Sequence, residues 1–308
     1  MGKKDSTTKL LTRNNDVFAE LFNRFVFEDN VVDPDKLVEK DSTEITAVLD
    51  KMLIEQKYRN VLKRAEIKVD SHFAYLLLGL ENQSEINYAM PVRTMLYDAI
   101  NYSNQISKIS KEFRKGNKKG YNKAEWMSGF PKGTLIKPVI TLVLCWSPDR
   151  WDAPKSLHEM MDSSIVNRYK DIIDDYKLHL ISVHDLSDDV LKSLTTEIGL
   201  ALEFSKYSRD EQKMYEFMND DRFKERSNEF VATINEMNAT RFKLNKKGGM
   251  VNMCKGIEDM KKTAKKELSI EHLEKLSNYF ESTGLSRSES EEKAKSILFS
   301  DSKEIKLS

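Results

Sequence analysis

Two polar residues stand at the end of the most apolar strand-like segment of this sequence. Glu81 and Gln83 follow the run FAYLLLGL at 73–80, and their spacing of two places both side chains on one face of a strand. A carboxylate at the end of a buried strand needs a metal ion or a hydrogen-bond network to compensate for its burial. The pair is therefore a candidate cation site. The alternative is that ENQ at 81–83 only marks where the strand leaves the core.

The preceding segment predicts the strand that lies beside Glu81. RAEIKVD at 64–70 alternates apolar and polar residues, which is typical of a half-buried strand, and a short turn joins it to the next strand. If residues 70 and 71 form a two-residue hairpin turn, Val69 lies opposite His72 and Asn60 lies opposite Glu81. Asp70 would then lie roughly 30 Å from Glu81 along the strand. Position 60, and not Asp70, is the predicted neighbour of Glu81.

The remaining pattern predicts an α/β fold with a mixed sheet, flanking helices and an all-helical C-terminal region. Met90-Pro91 begins a long helix, because proline is favoured at the first helical position. We expect an apolar stripe on it that includes Val92, Met95, Leu96, Ile100 and Ile106. Strands are predicted at 138–146 and 178–184, and a loop at 28–45. Helices are predicted at 16–27, 187–206, 211–218, 225–238, 250–268, 270–282 and 287–299. The predicted domains are 1–185 and 186–308.

Composition excludes several classes of protein. The 50 basic and 50 acidic residues cancel, which argues against a histone-like protein but not against a local basic patch. Two cysteines exclude a disulfide scaffold and indicate a reducing compartment. The N-terminal segment has no apolar signal-peptide core, and the apolar runs are too short to span a membrane. We therefore expect a cytoplasmic protein with no membrane partner.

Several short motifs, in their order and spacing, resemble a known family. They are NDVFAELF at 15–22, LENQS at 80–84 followed by MPVR at 90–93, PVI at 138–140, and WD at 151–152 with SLHE at 156–159. Together they are similar to the PD-(D/E)XK nuclease family transposases, also called recombination-promoting nucleases. The resemblance is continuous from about residue 14 to residue 265. It implies a restriction-endonuclease-like core in the N-terminal domain.

The resemblance also implies a chemistry and a set of site residues. The family hydrolyses DNA phosphodiester bonds with Mg²⁺ or Mn²⁺, using a metal-binding aspartate on the first hairpin strand and an E-x-Q on the second. Glu81 would bind the metal, and Gln83 would orient the water or the phosphate. This sequence has Asn60 where the family has the aspartate, and an amide brings no charge to a cation that prefers carboxylates. Asp16 or Glu20, on the first helix, could supply another acid, or they could simply cap that helix and face solvent.

Basic residues downstream of Glu81 are candidate DNA contacts. Arg93 could reach the scissile phosphate, or it could be an arginine on the surface or one that supports a site residue. The segment 108–123 reads as a basic loop that could follow the DNA backbone or could simply be solvated. Its candidate contacts are Lys111, Arg114, Lys115, Lys118 and Lys119.

We therefore expect a Mg²⁺-dependent DNA endonuclease with activity weakened by Asn60. The alternatives are a catalytically inactive DNA-binding or interaction protein that keeps the nuclease fold, and a helical scaffold with no nucleic-acid role. The helical C-terminal region could also mediate homo-oligomerisation.

Overall fold

The computed structural model describes residues 11–40, 60–69, 72–116 and 120–298. The strands are β1 Val38–Lys40, β2 Asn60–Val69, β3 His72–Gln83, β4 Val139–Cys145 and β5 His179–Ser182. The helices are α1 Asn15–Phe22, α2 Met90–Lys115, α3 Lys123–Ser128, α4 Ser163–Tyr169, α5 Asp188–Ser193, α6 Glu197–Lys206, α7 Glu211–Met218, α8 Asn228–Met237, α9 Met253–Ser282 and α10 Arg287–Leu298. A π-helical turn, Asn23–Phe27, extends α1.

The five strands form one mixed sheet in the order β1-β2-β3-β4-β5. The contacts β1–β2 and β2–β3 are antiparallel, and the contacts β3–β4 and β4–β5 are parallel. The central strand β3 is almost entirely apolar until Glu81 because helices cover both of its faces. The predicted α/β fold with a mixed sheet and a helical C-terminal region is confirmed.

A large apolar core lies between one face of the sheet and the helices of both chain ends. It contains Phe18 and Phe22 of α1, Leu78 and Leu80 of β3, and Phe204 of α6, all fully buried. The core also includes residues of α8 and α9. The predicted division at residue 185 therefore runs between elements that share one core. In the described residues, no helix is long and apolar enough to cross a membrane.

Several predicted boundaries are wrong. The segment 108–115 is not a loop, because α2 continues to Lys115, and the predicted loop at 28–45 contains β1. The predicted helix at 187–206 is two helices, α5 and α6, since Thr196 caps the second one through its hydroxyl. Conversely, the predicted helices 250–268 and 270–282 are the single helix α9, because no proline or glycine interrupts the chain between them.

Candidate functional site

The β2–β3 hairpin has the predicted register. Val69 lies opposite His72 and Asn60 lies opposite Glu81, although the turn residues 70 and 71 themselves lie outside the described part. On the other side of β3, Glu81 neighbours Val143 of β4. Glu81 therefore sits in the middle of the sheet, where one strand arrives antiparallel and the other parallel.

Glu81 contacts two polar side chains, those of Gln83 and Arg93. The Gln83 side chain donates a hydrogen bond from Nε2 to Glu81 Oε1 over 3.0 Å. Arg93 Nη2 lies 2.6 Å from the same oxygen, and the two charged side chains are 2% and 1% exposed. Arg93 reaches Glu81 because α2 begins at Met90, which places Arg93 in the first turn, on the face that packs against β3. The structure thus places Arg93 inside the fold, against the carboxylate.

The second oxygen of Glu81 has no such partner. Glu81 Oε2 is buried and accepts no hydrogen bond from the residues that the structure describes. The pKa of Glu81 is raised to about 7, mainly by burial. The Arg93 guanidinium opposes this rise, and the nearby Asp98 adds to it. Arg93 is therefore the group that most favours the ionised form of Glu81, against the effect of burial.

A second buried acid, Asp98, lies on α2 five residues after Arg93. Asp98 accepts hydrogen bonds from Thr141 Oγ1 over 2.6 Å and from the Tyr176 hydroxyl over 2.7 Å. Burial raises its pKa to about 6, against the effect of these two bonds. Sequence reasoning missed this group. The available signal was an aspartate one turn from Thr94 on a helix that begins beside the candidate site.

The predicted apolar stripe of α2 is only partly right: Leu96 and Ile100 pack against the sheet, but most of the fully buried residues of this helix are polar. The buried residues are Met90, Pro91, Arg93, Thr94, Tyr97, Asp98 and Asn101. Val92 and Ile106, which belong to the predicted stripe, are exposed instead. The helix turns its polar residues inward because Glu81 and Gln83 on the sheet need partners.

Glycine at position 79 allows α2 to lie close to the sheet. A Cβ atom there would be 2.9 Å from Thr141 Oγ1 and 2.9 Å from Cε1 of Tyr97. Gly79 is two residues before Glu81 on the same face of β3. The Tyr97 ring therefore packs directly against β3, next to the polar cluster around Glu81.

The first helix does not join this cluster. Lys63, on the opposite face of β2 and β3, lies 4.8 Å from the ring centre of Phe18 and donates to Asn15 Oδ1 over 2.6 Å. Glu20 accepts hydrogen bonds from the backbone and hydroxyls of Thr195 and Thr196. Asp16 is exposed on the same helix. The structure thus brings neither Asp16 nor Glu20 together with Glu81.

The predicted DNA contacts at the end of α2 are only partly described. Lys111, Arg114 and Lys115 lie on the last turns of α2, and Lys111 and Lys115 line a shallow groove with Lys108. Lys118 and Lys119 lie outside the described residues.

Among the described residues around Glu81, one carboxylate oxygen is a candidate ligand for a divalent cation. Across the described ranges, no group of three or more His, Cys, Asp or Glu residues could hold a metal. Glu81 Oε2 is nevertheless a buried carboxylate oxygen with no hydrogen-bond donor among those residues, and position 60 lies directly opposite. Carboxylate and amide oxygens are suitable ligands for Mg²⁺. Each carboxylate oxygen of Asp98 already accepts one hydrogen bond.

Comparisons with protein-family models, with curated proteins and with solved structures found no match. The resemblance to the recombination-promoting nucleases therefore stays a prediction from the sequence motifs. Those motifs and the geometry around Glu81 are the two grounds on which a function can be proposed.

Proposed function

We propose that this protein is a metal-dependent DNA endonuclease of the recombination-promoting, transposase-associated type, with low intrinsic activity. The observation that supports it best is the buried Glu81, which contacts Gln83, lies opposite position 60 and keeps one carboxylate oxygen without a hydrogen bond in the described part of the chain. This arrangement agrees with the E-x-Q and hairpin-strand pattern that the motif resemblance implies.

Each residue of the cluster would have one task. Mg²⁺ or Mn²⁺, when bound, would polarise a phosphoryl oxygen of DNA and activate water. Glu81 would hold the cation through Oε2. Gln83 fixes the orientation of the carboxylate by donating to Oε1, and Arg93 keeps it ionised inside the fold. The burial of the cluster strengthens these electrostatic contacts.

Asn60 explains the low activity in this proposal. Glu81 and Arg93 together carry no net charge, so a cation gains little attraction from the pair. An aspartate at position 60 would restore one negative charge directly opposite Glu81. We therefore expect Asn60→Asp to raise Mg²⁺-dependent cleavage of supercoiled plasmid at least tenfold.

The experiment compares four proteins with Mg²⁺, with Mn²⁺ and with EDTA. They are wild type, Asn60→Asp, Asn60→Asp combined with Glu81→Ala, and Asn278→Asp, which makes the same chemical change at an exposed position of α9. We expect cleavage to rise only in Asn60→Asp and to vanish without Glu81. If wild type already cuts as fast as Asn60→Asp, the role given to position 60 is wrong.

A second candidate is a DNA-binding protein that keeps the nuclease fold and does not cut. The close ion pair between Arg93 and Glu81 favours this candidate, because the Arg93 guanidinium already neutralises the Glu81 carboxylate. Binding of plasmid in gel shifts by wild type and by Asn60→Asp, with no nicking by either protein, would select this candidate.

A further inference from the structure

Cations surround an aromatic ring at the far end of the sheet from Glu81. Tyr75 of β3 has the guanidinium carbon of Arg64 at 5.3 Å from its ring centre and Nζ of Lys137 also at 5.3 Å. Lys40, at the end of β1, and Lys108, on α2, act electrostatically on Lys137. We call Lys40, Arg64, Tyr75, Lys108 and Lys137 the cationic patch.

The cationic patch and Glu81 share one face of the sheet. Tyr75, Gly79 and Glu81 alternate along β3 with the period of two that a strand imposes, and Arg64 lies opposite Leu77 on that face. Glu81 lies six positions after Tyr75, which is about 20 Å along the strand. The helix α2 follows the same line, from Arg93 beside Glu81 to Lys108 at the patch.

Within the described ranges, no acid forms an ion pair with a cation of the patch. Burial, Arg64, Lys40 and Lys108 all lower the pKa of Lys137. Glu66, beside the ring, accepts a hydrogen bond from the Tyr75 hydroxyl. Like charges gathered in this way favour an anionic ligand.

The position of Lys137 is fixed by the helix. The Gln105 side chain accepts from Lys137 N over 2.7 Å and donates to Lys137 O over 3.0 Å. One turn further along α2, Lys108 begins the groove that it lines with Lys111 and Lys115. Arg114 and Glu112 also line this groove, and Lys115 pairs with Glu112 over 3.1 Å, so Lys108, Lys111 and Arg114 are the cations that extend the patch along the helix.

An exposed aromatic side chain completes the surface. Phe73 lies two residues beyond Tyr75 on the same face and is 61% exposed, with Lys36 Nζ 5.6 Å from its ring centre. Tyr75 itself is 40% exposed. Exposed aromatic rings next to a row of cations are the combination that binds single-stranded nucleic acid, through base stacking and phosphate contacts.

We propose that the cationic patch and Phe73 bind a single-stranded segment of DNA, with phosphates on Arg64, Lys108 and Lys137 and a base stacked on Phe73. The inference rests on the proposed function, which makes DNA the substrate, and extends it by naming the form of DNA and the surface that holds it.

The test measures the anisotropy of a labelled 15-nucleotide dT strand in EDTA, at several salt concentrations. Arg64→Gln combined with Lys137→Gln should weaken binding at least tenfold and reduce the slope of log K against log salt by about 1.4, since each lost phosphate contact removes about 0.7 on single strands. Phe73→Ala should weaken binding about fivefold or more with the salt slope unchanged. Lys246→Gln combined with Lys247→Gln removes the same charge from an exposed turn and should change neither quantity.

Two outcomes would overturn the inference. One is a patch variant that binds dT no more weakly than the Lys246 and Lys247 control. The other is a duplex of equal length that binds as tightly as dT with no effect of Phe73→Ala. Arg64→Lys should keep the salt slope, which separates loss of charge from loss of fold. Plasmid cleavage by Asn60→Asp is scored separately, so cleavage without patch-dependent binding refutes only the patch, and the reverse result refutes only the endonuclease.

Discussion

The ion pair between Glu81 and Arg93 allows a prediction of how the free energy of unfolding depends on pH. Both side chains are almost fully buried and their charged atoms lie 2.6 Å apart. The pKa of Glu81 is about 7 in the fold and 4.5 in the unfolded reference. Since the folded pKa is the higher one, the contribution of Glu81 to stability is complete below pH 4.5 and is lost as the pH rises to 7. Above pH 7, Glu81 should no longer make the free energy of unfolding of the wild type depend on pH.

The change Arg93→Met removes the cation that keeps Glu81 ionised. The pKa of Glu81 in the fold must then rise above 7, because burial acts without the opposing guanidinium. The variant should therefore continue to lose about 1.4 kcal/mol for every pH unit above 7, where the wild type loses nothing through Glu81. At pH 9 the total loss should approach the roughly 3–5 kcal/mol that is typical of breaking a buried ion pair.

The assay is urea unfolding of the metal-free protein at pH 6, 7, 8 and 9, with EDTA present. Combining Arg93→Met with Glu81→Gln should remove the slope above pH 7. Arg222→Met offers a matched control, because Arg222 pairs with Glu203 and Asp220 but is 47% exposed, and surface pairs contribute roughly 1 kcal/mol or less. A difference between Arg93→Met and wild type that stays constant from pH 7 to pH 9 would refute this account of the pair.

Three further perturbations test the surroundings of the site. The pKa of Asp98 is raised to about 6, so this group contributes stability at low pH that is lost as the pH rises through 6. Asp98→Asn should therefore make the free energy of unfolding, measured in urea, less dependent on pH between 4 and 6. An unchanged slope would contradict the buried position of Asp98. Gly79→Ala should cost about 1–3 kcal/mol, measured by the urea midpoint, because its Cβ would lie 2.9 Å from Tyr97 Cε1 and Thr141 Oγ1. Glu20→Ala should cost about 1–3 kcal/mol and speed proteolysis near Thr195, because the hydrogen bonds that join α1 to Thr195 and Thr196 are lost; equal proteolysis of the variant and wild type would count against it.

The register around Glu81 could be predicted from sequence because local rules fix it. A strand alternates its faces with a period of two, and a two-residue turn sets which residues lie opposite. Asn60 therefore lies opposite Glu81 as expected. The three-residue strand β1 could not be predicted in this way, since all three of its residues are exposed and leave no alternating pattern.

The inward face of α2 could not be predicted because its partners come from other elements. Counting apolar residues favours Val92 and Ile106, which are exposed, over Arg93 and Asp98, which are buried. Burial of those two depends on Glu81, Thr141 and Tyr176, which the chain supplies from distant positions. The break between α5 and α6 has a similar cause, since Glu20 holds Thr195 and Thr196 from 175 residues away.

These observations are connected by whether the residue at position 60 is neutral or negatively charged. With an amide there, Glu81 and Arg93 form a neutral pair that the buried face of α2 can accommodate without a metal ion. An aspartate at position 60, which is paired with Glu81 in the sheet, would add a negative charge next to this pair, and that charge would be costly until a divalent cation joined it. The same substitution should therefore lower the stability of the metal-free protein and raise its affinity for Mg²⁺. A stable Asn60→Asp protein whose urea midpoint does not respond to Mg²⁺ would mean that Glu81 and position 60 do not share an ion.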